Sequence, residues 1–542
     1  MTSLEDKPWV ANYPPGVGQT LAYPDKPIYE VLNNLSTRMG RKIGLVYENT
    51  ELTWGFMDAL VNQTARALLS LGFARGQRIA VVLPSSPQII FTLMGASRVG
   101  CSVLIADPLN PREALSKALV NFRPKGLVVS SDIISGKDLY EPLSEIIDSG
   151  AFEVVLTASL LDFLPPAAQW FPLTLKQVKS KRRAKRQSWF RLVTKQSQRP
   201  PDAQPQAMGD VMVNMVRLSA PGEIDLVPFT QVNLIASAQQ LQSWFHIGEE
   251  DSLASSVSMN TAAGLVTSLF LPVQSAATFA IYPLFEPTQM ISSIQRHKFD
   301  VLSAPPHTLR ALALHLMSVH SEGSALKLVL SMGPRSKDGL ETSLSTLTGA
   351  KVCHCYAAAE VGAITHCTTP DSPPSAEGAV GLPLPDTEVK LIGSEAEGKE
   401  ALSSRSSTGL LAVRGAQVPV NPPASKKGTS PPHMEGWMMS EDFVRIDSSG
   451  AFTIEPGSSG GAYIAGARVN LEQLETLLRR HSWVRDAEVA ITYDPLMGER
   501  PIVRIMLKDS SSEPSPKEFT DYVGAYLMPQ AVPIGFEFIR SA

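Results

Sequence analysis

The chain has 542 residues, 44% of them hydrophobic and 18% charged, with a formal charge of −4 at pH 7. This balance belongs to compact globular proteins and gives no general electrostatic attraction to nucleic acid, so no nucleic-acid partner is expected. Four cysteines in this length cannot make a disulfide framework, and the opening MTSLEDKPW lacks the basic-then-apolar pattern of a secretion signal; a reducing cytoplasm is the expected setting.

In chain order, residues 52–83 read as an amphipathic helix ending near Gly72, a turn, and a β-branched apolar strand from Arg78. Residues 84–111 follow as helix, glycine stop, buried strand and Asp-Pro turn. Leu175–Lys195 then carries nine Lys or Arg and no acid, beside Trp170, Phe171, Trp189 and Phe190. Such a run is a solvated loop, a peripheral contact on an anionic bilayer with its aromatic rings at headgroup level, or an RNA-binding segment. With the Pro- and Gln-rich stretch that follows, residues 176–210 read as a basic mobile connection. Val216–Leu234, read alone, is a surface turn rich in Pro and Gly.

Ser252–Phe285 has no charged side chain, which superficially meets the length of a membrane span. Asn260, Pro272, Gln274 and several Ser and Thr interrupt it, so a buried helix, a turn and a buried strand are expected instead. Leu326–Cys367 reads as strand, helix and a second strand ending in a turn. Within it, Cys353, His354, Cys355, His366 and Cys367 do not match a zinc spacing and are read as buried structural groups, with no metal. Residues 403–409, 422–432 and 510–516 are expected surface loops, and no repeat is evident.

Taken together and in this order, the segments resemble the adenylate-forming superfamily. Phe229, Thr230, Asn233 and Leu234 fit the end of its phosphate-loop pattern Y-T-S-G-T-T-G-x-P-K-G-V-x-L-T-H-x-N-L, and Tyr356 to Glu360 fit its Y-G-x-T-E turn. Gly378–Ile392 and the opening Lys7–Val17 are most similar to bacterial long-chain fatty acyl-CoA ligases. The resemblance implies an α/β fold with a large N-terminal domain, residues 1–456, made of two helix-flanked, mostly parallel sheets plus a distorted β-barrel. It also implies a small mobile α+β C-terminal domain, residues 457–542. That domain reads as truncated, because the family's final lysine segment would begin past Phe538 and the sequence stops at Ala542.

The resemblance further implies ATP, Mg2+ and CoA as cofactors and a fatty acid or related carboxylic acid as substrate. It assigns nucleotide contacts to Tyr356 beside adenine, to Glu360 as the magnesium-linked carboxylate, and to Asp442 as acceptor from the ribose hydroxyls. Other positions depart from the pattern. The loop's threonine pair is Ala220 and Pro221, and only Gly222 keeps its glycine. Its lysine is Asp225, and a flexible glycine has become Leu226. The threonine of the Y-G-x-T-E turn is Ala359, the late arginine is Gly457, the hinge aspartate is Gly460, and T-G-D appears as Ser440, Glu441, Asp442. A phosphate site needs backbone donors and positive charge, which an aspartate and a proline remove.

Two readings follow. One is a catalytically impaired acyl-CoA synthetase-like protein that binds an acyl or nucleotide ligand, or partners an active ligase, with peripheral membrane contact through 175–195. The other is an active ATP-dependent fatty acid or aryl acid CoA ligase that rebuilds the phosphate site with Arg217, Arg335 or Lys337.

Overall fold

Runs of β-branched and aliphatic residues alternate with amphipathic helices through the first two thirds of the chain, and they fold into two large sheets. The computed structural model describes residues 7–48, 50–164, 178–180, 186–284, 286–319, 325–335, 339–358, 364–371, 377–392, 408–419, 436–455, 461–464, 467–495, 498–508 and 515–539. The first sheet has seven strands, with Arg78–Val82 pairing in parallel with both Ser102–Ala106 and Gly126–Ser130. At one edge it ends in an antiparallel hairpin made of Val211–Ala220 and Glu223–Thr230.

The second sheet has thirteen strands and changes character along its length. From Ile43–Tyr47 through Thr278–Ile281, Ser252–Ser255, Val301–Ala304 and Leu328–Met332 to Lys351–Tyr356 the pairing is parallel. From His366–Cys367 onward it is antiparallel, through Ala379–Pro383, Phe452–Ile454, Met438–Ile446 and Thr408–Arg414. The central parallel strands Val301–Ala304 and Leu328–Met332 are buried along their whole length, the pattern expected of a parallel sheet covered on both faces. Beyond residue 461 a hairpin of Gly461–Ile464 and Ala467–Asn470 leads to the helix Leu471–Arg479. A three-stranded sheet, Val484–Asp494, Gly498–Leu507 and Gly535–Ile539, then completes a smaller body with its own core around Leu474, Val503 and Phe519. The mixed α/β architecture with a large sheet-rich part and a smaller C-terminal part is the one the sequence implied.

The uncharged run divides as expected into the strand Ser252–Ser255, helical turns over residues 262–275 and the strand Thr278–Ile281. No described helix is long and apolar enough to cross a membrane. The basic run is corrected in its described part. Trp189 is buried at 1% exposure, on a short helix Trp189–Thr194 that also buries Leu192 and Val193, and Phe190 meets the ring of Phe163 edge-on. These rings fill the core, so they are not offered to a bilayer. Residues 186–210 are also tied down by polar contacts. Gln63 Nε2 donates to the Gln196 carbonyl, Arg66 to the carbonyls of Arg199 and Pro200, and Arg75 pairs with Asp210 at 2.9 Å. Trp170, Phe171 and residues 175–177 and 181–185 lie outside the described residues, as do the loop residues 403–407, 422–432 and 510–514.

Candidate functional site

Tyr356 closes the last parallel strand of the large sheet, and Asp442 lies in the middle of Met438–Ile446. Both are 1% exposed, and the tyrosine hydroxyl donates to Asp442 Oδ2 at 2.7 Å. Two of the three residues assigned to the nucleotide are therefore brought together. Glu360 and Ala359 lie outside the described residues, as do Gly457, Gly460 and Lys337.

Asp442 has further partners, and they come from the chain itself. Tyr463 donates its hydroxyl to Oδ2 at 2.5 Å, and Arg468 Nε donates to Oδ1 at 3.0 Å. Both residues sit on the 461–470 hairpin of the smaller body. A buried carboxylate needs several donors to remain charged, and here a guanidinium and two phenols supply them. Both Asp442 oxygens, the groups assigned to the ribose hydroxyls, thus accept from side chains of the chain itself.

The hairpin of residues 211–230 explains the divided match to the phosphate loop. Its strands pair from Val211↔Thr230 to Ala220↔Glu223, with the register shifting between Val211 and Val213 and between Leu218 and Ala220, so most backbone groups of the segment are used in the ladder. Arg217 stands opposite Asp225 in that register, and Arg217 Nη2 meets Asp225 Oδ2 at 2.6 Å. The reversed charge at 225 is matched across the hairpin, an arrangement that stabilises a cross-strand pair. Pro221 and Gly222 form the tip. Gly222 has φ +77, its carbonyl accepts from Lys117 Nζ at 2.6 Å, and a Cβ there would lie 3.4 Å from Tyr526 Cδ1. Leu226 is half-buried and packs beside Val216 on the core that covers the first sheet.

The half of the motif that does match has a structural job. Thr230 and Asn233 form a reciprocal capping box for the helix Gln231–Phe245. Asn233 Nδ2 also donates to the carbonyls of Ala416 and Val418, both at 2.8 Å, and Phe229 and Leu234 are fully buried. Positions that build the fold persist, and positions that would face phosphate have changed.

Glu441 joins the two groups. It accepts from Arg468 Nη1 at 2.6 Å and lies 3.3 Å from Arg217 Nη1. Among the described residues, Asp225, Glu441 and Asp442 face Arg217 and Arg468. Sequence reasoning did not single out Tyr463 or Arg468. The available signal was complementarity, since an acid at 225 and another at 441 each require a cation nearby.

Behind Tyr356 the packing is apolar. His366 is fully buried, with its ring 5.8 Å from that of Tyr356 and 4.9 Å from that of Phe452, and burial pushes its imidazole down to about 3. Cys355 and Cys367 face each other in register with their sulfurs 3.3 Å apart, and all four cysteines are buried. Burial raises Cys353 to about 12 and Cys367 well above its ordinary value, so these thiols are held protonated and unreactive.

Of the cations proposed to rebuild a phosphate site, Arg217 is engaged by Asp225 and Glu441. Arg335 lies 3.9 Å from Glu341, and its backbone N–H and carbonyl pair with Ala379 and Gly378. Among the described residues, the Asp442 carboxylate has three donors, and Asp225 and Glu441 both stand beside Arg217.

Comparison with known proteins follows the same lines. Residues 33–419 match the sequence profile described as AMP-binding enzyme. The chain is 24% identical to a long-chain-fatty-acid–CoA ligase of Bacillus subtilis (strain 168), over 98% of this chain and 94% of that one. It is 24% identical to 4-coumarate–CoA ligase 1 of Oryza sativa subsp. japonica, over 86% and 81%. Among solved structures, an amide bond synthetase from Marinactinospora thermotolerans superposes with a TM-score of 0.77 at 18% identity, covering 95% of this chain and 96% of the other. A long-chain-fatty-acid-CoA ligase from Archaeoglobus fulgidus gives 0.69 at 18%, covering 97% and 99%. These two structural likenesses concern the fold.

Proposed function

Since the chain belongs to the AMP-binding enzyme family as an acyl-CoA synthetase-like member, we propose that it is a catalytically impaired relative that binds a carboxylic acid without activating it. The observation that carries this reading is that the chain's own side chains already occupy both oxygens of Asp442, Tyr356 and Tyr463 on Oδ2 and Arg468 on Oδ1. A nucleotide entering here must displace a guanidinium and a phenol from a carboxylate that is 1% exposed. Breaking one partner from a buried ion pair costs about 3–5 kcal/mol, which a ribose diol, as a neutral donor, does not return.

Electrostatics argue the same way. Adenylation places negative charge on a pentavalent phosphorus and needs preorganised donors around it, and losing one such donor typically costs about 10²–10³ in rate. Here the hairpin presents Asp225 and the neighbouring strand presents Glu441, each neutralised internally. On this reading the protein acts on fatty acid chemistry by binding the acid, or by associating with an active ligase. The alternative of an active ligase finds no described cation free to hold phosphate at Arg217, so it is not favoured.

The direct test is an assay for acyl-CoA formation from a fatty acid, ATP, Mg2+ and CoA, alongside a fatty acid binding measurement without nucleotide. The reading expects binding and no turnover above background. Turnover at rates usual for enzymes, about 1 s⁻¹ or more, overturns it.

A further inference from the structure

The charged residues of the site join three separate pieces of chain. Arg217 is on the 211–230 hairpin, Glu441 and Asp442 are on Met438–Ile446, and Arg468 is on the 461–470 hairpin. Glu441 is the only one of them that touches both arginines, through Arg468 Nη1 at 2.6 Å and Arg217 Nη1 at 3.3 Å. Its side chain is 37% exposed, whereas those of Arg217, Arg468 and Asp442 are at most 18% exposed. Arg468 also donates to the Glu441 backbone carbonyl at 3.2 Å.

Other contacts line up on the same seam. Gln473 Nε2, on the helix after the 461–470 hairpin, donates to the Ser219 carbonyl at 3.1 Å. Tyr526 lies against Gly222 at the hairpin tip. On the other side of the smaller body, Gly498 sits so close to Arg310 that a Cβ would lie 2.5 Å from the guanidinium. The neutral contacts give shape. Arg468 supplies the ionic part of the attachment, through the buried Asp442 at 3.0 Å and the more exposed Glu441 at 2.6 Å, and Glu441 ties that contact to Arg217.

We propose that Glu441, bridging Arg217 and Arg468, is an ionic latch that holds the smaller body, residues 461–539, closed over the position a nucleotide would take. The latch makes this closed arrangement the resting state without any ligand, and makes its opening depend on ionic strength. The proposal rests on the reading that the chain's own side chains take the nucleotide's place. Screening follows from exposure: at 37% the Glu441 carboxylate is reached by salt, whereas Asp442 is not, so raising salt weakens the bridge and leaves the buried pair.

Amide hydrogen exchange of the full chain, read peptide by peptide without nucleotide, tests this, since local opening is what such exchange reports. Glu441→Gln keeps the shape of the side chain and removes its charge. In the wild type, exchange across 461–470 and 215–224 is expected to rise about three- to tenfold between 0.05 and 1 M NaCl. In Glu441→Gln it is expected to be already raised at low salt and to be insensitive to salt. The strand Arg78–Val82 and the helix Pro87–Arg98, remote from the seam, should exchange alike in both proteins and serve as the fold control. Wild-type exchange that is flat with salt, or a variant identical to wild type, overturns the latch. ATP binding by the wild type overturns the functional reading instead, and is measured separately, so the two failures are distinguishable.

Discussion

Arg468 is the cation on which the buried carboxylate of Asp442 depends. Replacing it with alanine leaves Asp442, 1% exposed, held by two phenols and no positive charge. We expect Arg468→Ala to lose about 3–5 kcal/mol in urea unfolding, and Arg468→Lys to recover only part, because a single ammonium cannot serve Glu441 and Asp442 from the two edges of a guanidinium. A loss under about 0.5 kcal/mol, usual for an exposed pair, would refute this account of the site. His366 gives a pH test. Its imidazole is held at about 3 in the folded protein against 6.5 when exposed, so the unfolded chain binds the extra proton. Its contribution is present in full above pH 6.5 and is lost as pH falls toward 3; at about 1.4 kcal/mol per pH unit, about 3 kcal/mol is gone by pH 4. His366→Gln should flatten that part of the stability profile, and an unchanged slope between pH 6 and 4 would count against the assignment. At this scale Tyr356 and Asp442 were legible because framing motifs located them. Tyr463 and Arg468 were not, because they meet Asp442 only after the chain has folded back on itself.

The hairpin of residues 211–230 shows how an element can keep its place and change its chemistry. Thr230 and Asn233 cap the following helix and tie it to residues 416 and 418, while Arg217 and Asp225 cancel each other across the strands. The match of the second half of the motif was readable as similarity, and its cause, helix capping and burial, came only from the structure. A stricter backbone demand falls on Gly381, in the antiparallel part of the large sheet. It has φ +90, and a Cβ would lie 2.2 Å from the Cys367 carbonyl. Gly381→Ala should cost more than about 4 kcal/mol and leave little folded protein, the class of effect produced by backbone strain and overpacking. Gly76→Ala, also at positive φ but with nothing within 4 Å, should cost only about 1–2 kcal/mol. Equal melting temperatures for the two variants would show that the close approach at Gly381 is relaxed. The basic run was read less well. Lysines and arginines mark a solvated segment from sequence, but the burial of Trp189 and the anchoring of 186–210 on Gln63, Arg66 and Arg75 depend on contacts far along the chain.

As a whole molecule, the chain keeps the architecture of the AMP-binding enzyme family, and in the function proposed above its own residues take the place of a nucleotide. The succession of strands and helices, hydrophobic throughout, made the fold readable, whereas the closure of the site depends on how the smaller body sits on the larger. In the proposed function, Arg468, Tyr463 and the carboxylates beside Arg217 replace ATP. Isothermal titration of the full chain with ATP and Mg2+ at low salt tests this replacement. The account predicts no measurable binding up to about 1 mM, an affinity limit of about 4 kcal/mol, while a fatty acid in the same cell does bind. Saturable ATP binding with a dissociation constant in the micromolar range would contradict it, because such a ligand would have to displace Arg468 and Tyr463 from Asp442.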